Sequence, residues 1–374
     1  LCLPGGAALT AAGDAAAGET QGPIELRHAR VTTTIDGVVQ TEAVDLSYHW
    51  DRRHRGRTGF ASFELPFRVE TLPEVPWGVF IPRAGSVFEV QLNGALLQSY
   101  GDLGQGNRAD YAKAPVYVPV PGRLLKEGEN LLQIRIRADS ERRAGLSRVT
   151  IGPATPVRTA LFEGAYAWRF TGSVLLTAFS LIVGSIALAL WFTQVDTGAT
   201  GRRQRDALYF WAAVAEFCWA LRVADAMIPE PPLPWQLWGV LMAGCYSGWA
   251  ASAMMFCYHL ADWAQSPRTR WVRWPTAAVV VGTVVFTWLA LNREEPRWLT
   301  AWLAVEITIV VGFVIAFAVA TVRRPSVERL LVAGAALVTV AFGTRDWLVI
   351  RLSDAYGETT WVRYSSIFFG IALL

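Results

Sequence analysis

The feature that most constrains this chain is a repeated one: six long apolar runs, nearly free of charge, follow one another between residues 170 and 350. A helix needs about 20 apolar residues to cross roughly 30 Å of hydrocarbon. Phe170–Gln194, Leu233–Tyr258 and Trp274–Asn292 carry no charge at all, and Trp298–Val322 carries only Glu306. Ala207–Ile228 has polar residues embedded in it, and Leu330–Ile350 is apolar until Arg345. A seventh run opens near Tyr364 and continues to Leu374. Buried helices of a large soluble protein would not repeat this length six times, so residues 170–374 read as a transmembrane bundle with spans at 170–194, 207–228, 233–258, 274–292, 298–322, 330–350 and 364–374. Tryptophan supports this. Of 17, many fall at span ends, among them Trp168, Trp191, Trp235, Trp263, Trp274, Trp298 and Trp361, where an indole keeps its apolar body in lipid and its N–H toward water.

Charge separates the chain into two solvents. Charged residues make up 17% overall, against roughly 25% in soluble domains, and they concentrate in residues 24–158. The net charge of +3 is too small to argue for nucleic acid. Arginine sets the orientation. The connections after spans one, three and five hold Arg202, Arg203, Arg205, Arg268, Arg270, Arg273, Arg323, Arg324 and Arg329; the alternate ones hold Arg293, Arg297, Arg351 and Arg363. Nine against four predicts that the first set is cytoplasmic, the N-terminal domain extracytoplasmic, and the C-terminus cytoplasmic. Leu1–Gly18 is small and apolar, like the tail of a secretory signal, and Ser365–Leu374 reads as a span cut short. Of four cysteines, three lie in apolar spans and Cys2 in the leader, so the extracytoplasmic domain is expected to hold together without disulfides.

Residues 24–155 read as short strands and turns, followed by a juxtamembrane linker at 156–169. Phe63, Leu65, Phe67 and Val69 alternate with polar or small partners, as do Phe88, Val90 and Leu92, then Leu132, Ile134 and Ile136. A period of two buries one face of each strand. Asn93-Gly94 between apolar runs predicts a hairpin whose two turn residues take positive φ. About 130 residues of this pattern point to an all-β sandwich. The progression VFEVQLNGALLQSYG (87–101), VPVPGRLLKEGENLLQIRIRAD (118–139) and GLSRVTIGP (145–153) resembles the jelly-roll modules of galactose-binding type.

Such a module followed at once by a helical bundle resembles the bacterial seven-transmembrane receptors with diverse intracellular signalling modules. That resemblance implies an inner-membrane, multi-pass input half with a periplasmic sensor domain. It further implies an unseen cytoplasmic effector: most often a two-component sensor histidine kinase using ATP and Mg and addressing a response regulator, alternatively a diguanylate cyclase. The expected partners are the lipid bilayer, an extracytoplasmic and carbohydrate-like ligand, and a second copy in a homodimer. No catalytic residue, cofactor or metal site is expected in the chain itself, since no Ser/His/Asp set, phosphate loop or metal motif is evident. The competing class is a transporter or channel with an accessory β domain, which would show broken helices in paired halves and midplane binding residues.

Two sets of site residues follow. Trp50, Asp51, Trp77, Tyr100, Asp102, Asn107 and Tyr111 lie on loops or strand ends, where aromatic faces and polar groups could grip a sugar; core packing is the competing reading for each. The basic loop His49–Arg57 reads as solvated, with an anionic ligand or lipid headgroups as alternatives, and the spacing of His49 and His54 is too weak for metal. Within the spans stand Glu216, Arg222, Asp225, Glu306, Arg345 and Asp346. Intramembrane charge is costly and usually partnered. The expectation is a buried network of Arg222 and Arg345 against Asp225, Glu306 and Asp346 near the outer surface, either fixing the packing or switching it.

Overall fold

The computed structural model describes residues 21–106, 108–140, 142–197, 203–293, 296–352, 356–357 and 360–373; Leu1–Gly18 lies outside them. The alternating segments form two antiparallel sheets. One has the order β3 (Val38–Asp45), β2 (His28–Ile35), β5 (Gly59–Val69), β10 (Gly128–Ala138), β7 (Val87–Leu92), β8 (Ala95–Tyr100). The other runs β1 (Ile24–Leu26), β12 (Val149–Pro153), β6 (Trp77–Ile81), β9 (Val116–Val120). A short pair, β4 (Tyr48–His49) with β11 (Gly145–Leu146), lies beside them. The central pair β5–β10 stays in register from Val69↔Gly128 to Gly59↔Ala138. Phe63, Leu65, Leu132, Ile134, Ile136, Val90 and Leu92 therefore share the inner face, each with at most 1% exposure. This is the sandwich predicted by period two, without a disulfide to staple it.

The Asn-Gly turn is tied into the core of the domain. Asn93 and Gly94 take φ of 51° and 83°, the left-handed pair such hairpins require. Asn93 Nδ2 donates to Leu124 O (2.8 Å) and to Asn130 Oδ1 (2.9 Å), while Asn93 Oδ1 accepts from Leu131 N (2.9 Å). Asn130, buried, also accepts from Lys126 N and donates to Lys126 O and Gly128 O. The asparagines of the Asn-Gly and Gly-Glu-Asn segments thus lock two turns together with buried amide bonds.

Among the described residues, six helices are long and apolar enough to cross a membrane: α1 (Ala154–Thr193), α2 (Ala207–Met227), α3 (Trp235–Leu260), α4 (Pro267–Asn292), α5 (Arg297–Arg323) and α6 (Val327–Ile350). A shorter one, α7 (Ser365–Leu373), follows. Each helix packs on its sequence neighbour, and α7 closes the ring against α1 and α2. The starts carry ordinary stop–start chemistry: Asp206 accepts from Leu208 N (2.8 Å), Ser326 accepts from Arg329 N (3.3 Å), and Pro234 immediately precedes α3.

The expected linker at 156–169 is not one. It is helical and runs unbroken into the first span, giving a helix of 40 residues, about 60 Å long at 1.5 Å per residue. That is about twice the hydrocarbon thickness, so its first turns stand on the sandwich. Phe162 packs on Phe80 and Tyr117 of the four-stranded sheet, with ring centroids 6.5 and 5.7 Å apart. This explains why β6, Trp77–Ile81, is buried at every position rather than at alternate ones. The apolar alternation ended at Pro153, and the segment's few charges (Arg158, Glu163, Arg169) disguised a helix half-covered by a sheet.

Replacing Asn130 by Ala removes its side-chain bonds and leaves buried backbone and amide groups unpaired. The sandwich should lose about 2–4 kcal/mol, read as a lowered midpoint of thermal unfolding by circular dichroism.

Candidate functional site

The structure brings some of the functional candidates, Tyr111, Arg222, Asp225, Arg345 and Asp346, to the seam between the sandwich and one end of the bundle. Asp225 stands at the last turn of α2. Its Oδ1 accepts from Lys113 Nζ (2.7 Å) of the sandwich and from Trp238 Nε1 (2.7 Å) of α3, and Arg222 NH1 lies 3.7 Å from Oδ2. Lys113 Nζ also donates to Ile228 O (2.7 Å). The side chains of Lys113 and Asp225 are 12% and 19% exposed, so this is a mostly desolvated ion pair. Around it, Asp110 N donates to Pro229 O (2.8 Å), Tyr111 OH donates to Glu230 Oε1 (3.3 Å), and the Arg142 guanidinium lies 3.8 Å from the centroid of the Trp235 ring. The loop joining α2 to α3 is thereby fastened to the sandwich along its length.

A second fastening uses Asp346 and the segment leading into α7. Asp346, 4% exposed, accepts from Arg345 NH1 (3.0 Å) on Oδ1 and from Trp361 N (2.7 Å) and Val362 N (2.8 Å) on Oδ2. Arg345 lies over the Trp361 ring at 4.4 Å. Arg363 NH1 donates to Arg169 O and Ser173 Oγ (both 3.0 Å), and Arg169 in turn reaches Pro82 O (2.6 Å) and Ala112 O (2.8 Å) in the sandwich. Buried Tyr356 completes the contact: its amide donates to Ser47 Oγ (3.2 Å) and its ring meets His49 at 5.4 Å.

The expected single network is not what forms. Arg222 pairs with Asp225, and Arg345 with Asp346, while Glu306 is held apart in a third cluster. Thr283 Oγ1 donates to Glu306 Oε2 (2.7 Å) and Trp302 Nε1 donates to Thr283 Oγ1 (2.9 Å), joining α4 to α5. Each carboxylate takes donors from its own neighbourhood because a direct partner at hydrogen-bond length outweighs a distant charge. Tyr246 of α3 lies between the clusters, within electrostatic reach of Arg222, Glu306 and Asp346. Glu216 stands apart, fully buried where α1, α2 and α7 meet. A Cβ at Gly370 would lie 3.6 Å from Glu216 Oε1 and one at Gly184 3.2 Å from Glu216 Cβ. Ser180 faces its carboxyl, but no hydrogen bond of ordinary geometry joins them.

The sugar-grip candidates are dispersed by the core. Trp50 and Trp77 are 0% and 2% exposed and belong to the sandwich core, so neither offers a ring face to a solute. Trp50 Nε1 donates to Arg57 O (2.8 Å). Asp51 accepts from Ala144 N (3.0 Å). Tyr100 stacks on Phe88 at 4.6 Å and meets Tyr111 at 5.9 Å; Tyr111 then docks on Glu230. Asp102 is exposed and turns its own loop, accepting from Gly104 N (2.7 Å). Asn107 lies outside the described residues. Sequence reasoning missed Lys113, Arg142, Arg169, Tyr356 and Arg363. Arg169, at the foot of the first apolar run, was the one with a readable signal: a charge there must find a partner or water.

No family model and no curated protein matches the chain. Among solved structures it is similar to a GH2 beta-galacturonidase from Eisenbergiella tayi bound to galacturonate (13% identity, TM-score 0.28, over 36% of this chain and 25% of that one). It is also similar to an FMN-binding beta-glucuronidase from Facaelibacterium prausnitzii L2-6 (16%, 0.28, 35% and 22%) and a rhamnosidase from Novosphingobium sp. PP1Y (17%, 0.27, 38% and 16%). The chain spans a quarter or less of the length of these three structures, and at these TM-scores the likeness carries no argument about fold or activity.

Asp51 gives the seam a pH dependence. Burial pushes its carboxyl from 3.8 up to about 6, against the lowering effect of the Ala144 amide and of Arg143 and Arg83. Between those values the folded domain holds a proton that the unfolded chain has released, so stability falls as pH rises through that window. The thermal midpoint should be higher at pH 4.5 than at pH 7 by this contribution, and Asp51→Asn should flatten that part of the profile.

Proposed function

We propose that this chain is the input half of a bacterial transmembrane receptor of the seven-transmembrane type with diverse intracellular signalling modules. The observation that carries the reading is the Lys113–Asp225 seat, an ion pair of 2.7 Å between the sandwich and the end of α2. A change in the sandwich at the Tyr111–Lys113 turn acts directly on the junction of two spans. The unbroken α1 and the Asp346–Trp361 cap pass the same displacement to α1 and α7. A rigid docking of this kind transmits movement, whereas an accessory domain on a slack tether would not.

In this reading the sandwich is a galactose-binding-type jelly roll on the periplasmic side, facing the arginine-poor end of the bundle. α7 is the start of a seventh span across the bacterial inner membrane, and a homodimer is the working unit. The effector beyond Leu374 is a sensor histidine kinase, using ATP and Mg and phosphorylating a response regulator, with a diguanylate cyclase as the second choice. The reading frame past Leu374 tests this: a His-containing dimerisation helix and ATP-binding boxes support the kinase, a Gly-Gly-Asp/Glu-Glu-Phe signature the cyclase, and a stop soon after the seventh span removes the effector.

Lys113→Ala and Asp225→Asn should each shift basal effector output several-fold, and the double variant should resemble either single one because both break the same bond. Lys126→Ala, at an exposed turn, should leave output unchanged. Wild-type output from well-expressed Lys113→Ala and Asp225→Asn proteins would contradict the coupling.

A further inference from the structure

Among the described residues, Glu216 is the intramembrane carboxyl that its surroundings leave unanswered. Asp225 and Asp346 each face three donors, and Glu306 takes the Thr283 hydroxyl. Glu216 is 0% exposed, and neither of its carboxyl oxygens has a hydrogen-bond partner. It stands near the middle of α2, about 14 Å of helix from either end. Gly184 of α1 and Gly370 of α7 bring bare backbone against it, and the Phe179 ring of α1 closes the far side of Gly370.

The polar group that faces this carboxyl is the Ser180 hydroxyl of α1. On the turns before it, Ser173 and Thr177 give their hydroxyls to the carbonyl four residues back, Arg169 O (2.7 Å) and Ser173 O (2.8 Å). Ser180, 0% exposed, makes no such bond, so its hydroxyl is left for Glu216. Charge does not help. The charged residues nearest in sequence on the packed elements are Arg169 of α1, Arg222 of α2 and Arg363 ahead of α7. Cys218 of α2, Cys245 and Tyr246 of α3 and Tyr364 before α7 are the other titratable groups on this side. None of them acts electrostatically on Glu216.

Counting donors decides the state of the site. An ionised carboxylate only accepts, with about four lone-pair sites, and one hydroxyl cannot fill them. It would stand as an unpaired charge in hydrocarbon, an arrangement that spans avoid. A carboxylic acid brings its own donor. Either the acid O–H or the serine O–H can then complete a bond, and two orphaned groups on neighbouring helices satisfy each other.

We infer that Glu216 is a proton-binding site, occupied while α7 is seated against α1 and α2. It empties when α7 moves off and admits water, which takes the proton and solvates the carboxylate left behind. Proton uptake is thereby linked to the position of α7. Its use as a signal rests on the receptor reading, but the proton is measurable without any effector. Infrared difference spectroscopy of the full-length protein in nanodiscs, wild type minus Glu216→Gln, reads it directly. At neutral pH the difference should contain a protonated-carboxyl C=O band that shifts in heavy water. Ser180→Ala should move that band to higher frequency as its hydrogen bond is lost, which a purely structural role for Glu216 would not do. Hydrogen exchange reads the link. At alkaline pH the amides of Phe369–Ala372 should exchange several-fold faster in wild type than in Glu216→Gln, and at mildly acidic pH equally fast, while the amides of α5 match in both. Carboxylate bands in place of the acid band at neutral pH would overturn the proton site. A ratio of exchange rates that does not change with pH would overturn the link to α7. Both results as expected, with effector output indifferent to Glu216→Gln, would uphold the site and count against the receptor reading alone.

Discussion

A carboxylate at the rim of an apolar bundle must find its donors where it stands, and Asp225 finds them on three sides at once. The ammonium of Lys113 comes from the sandwich, the indole N–H of Trp238 from the next helix, and the guanidinium of Arg222 from its own helix. Taking the lysine away would leave a largely desolvated charge short of a donor, which costs more than the intact pair contributes. The seat therefore specifies geometry more than it stabilises: the sandwich has one position in which Asp225 is satisfied. Asp346 repeats the logic with backbone donors, fixing the entry to α7.

The long helix α1 gives this seat its leverage. Its first turns pack on the four-stranded sheet through Phe162 and its later turns cross the bundle without interruption. Arg169 sits where these two environments meet and sends both guanidinium termini to sandwich carbonyls. Sandwich and bundle are consequently joined by a continuous helix, by the α2–α3 loop and by the connection into α7. Displacement of one half against the other would break several desolvated bonds together, the condition for two discrete arrangements rather than a continuous slide.

Much of this was legible in the sequence, and the exceptions share a cause. Period two in 63–69 and 132–136 placed the sandwich core, because a single buried face needs only local alternation. Apolar length picked out the six long helices, because crossing hydrocarbon sets a minimum length. Residues 156–169 were misread because β6 is covered on both faces by partners distant in sequence. Trp50 and Trp77 could not be told from binding aromatics, since a buried indole and an exposed one have the same local pattern. Lys113, Arg142 and Tyr356 carry no pattern at all; their role exists only where sandwich loops meet bundle loops. The charges at Arg222, Asp225, Arg345 and Asp346 were recognisable as costly and so as partnered. Which partner each would take depended on distances that no spacing rule supplies.

The docked seam is most directly tested by hydrogen exchange on the full-length protein in nanodiscs, followed at the amides of Asp110, Tyr356, Trp361 and Val362. These donate across the seam or to Asp346. Docking predicts slow exchange at all four, with Lys113→Ala accelerating Asp110 while the amides of the β5–β10 pair stay protected. Exchange at Asp110 and Tyr356 as fast as in the exposed turn at Asp36–Gly37 would show that the two halves are not held together, and the coupling drawn from Lys113 and Asp225 would fail with it.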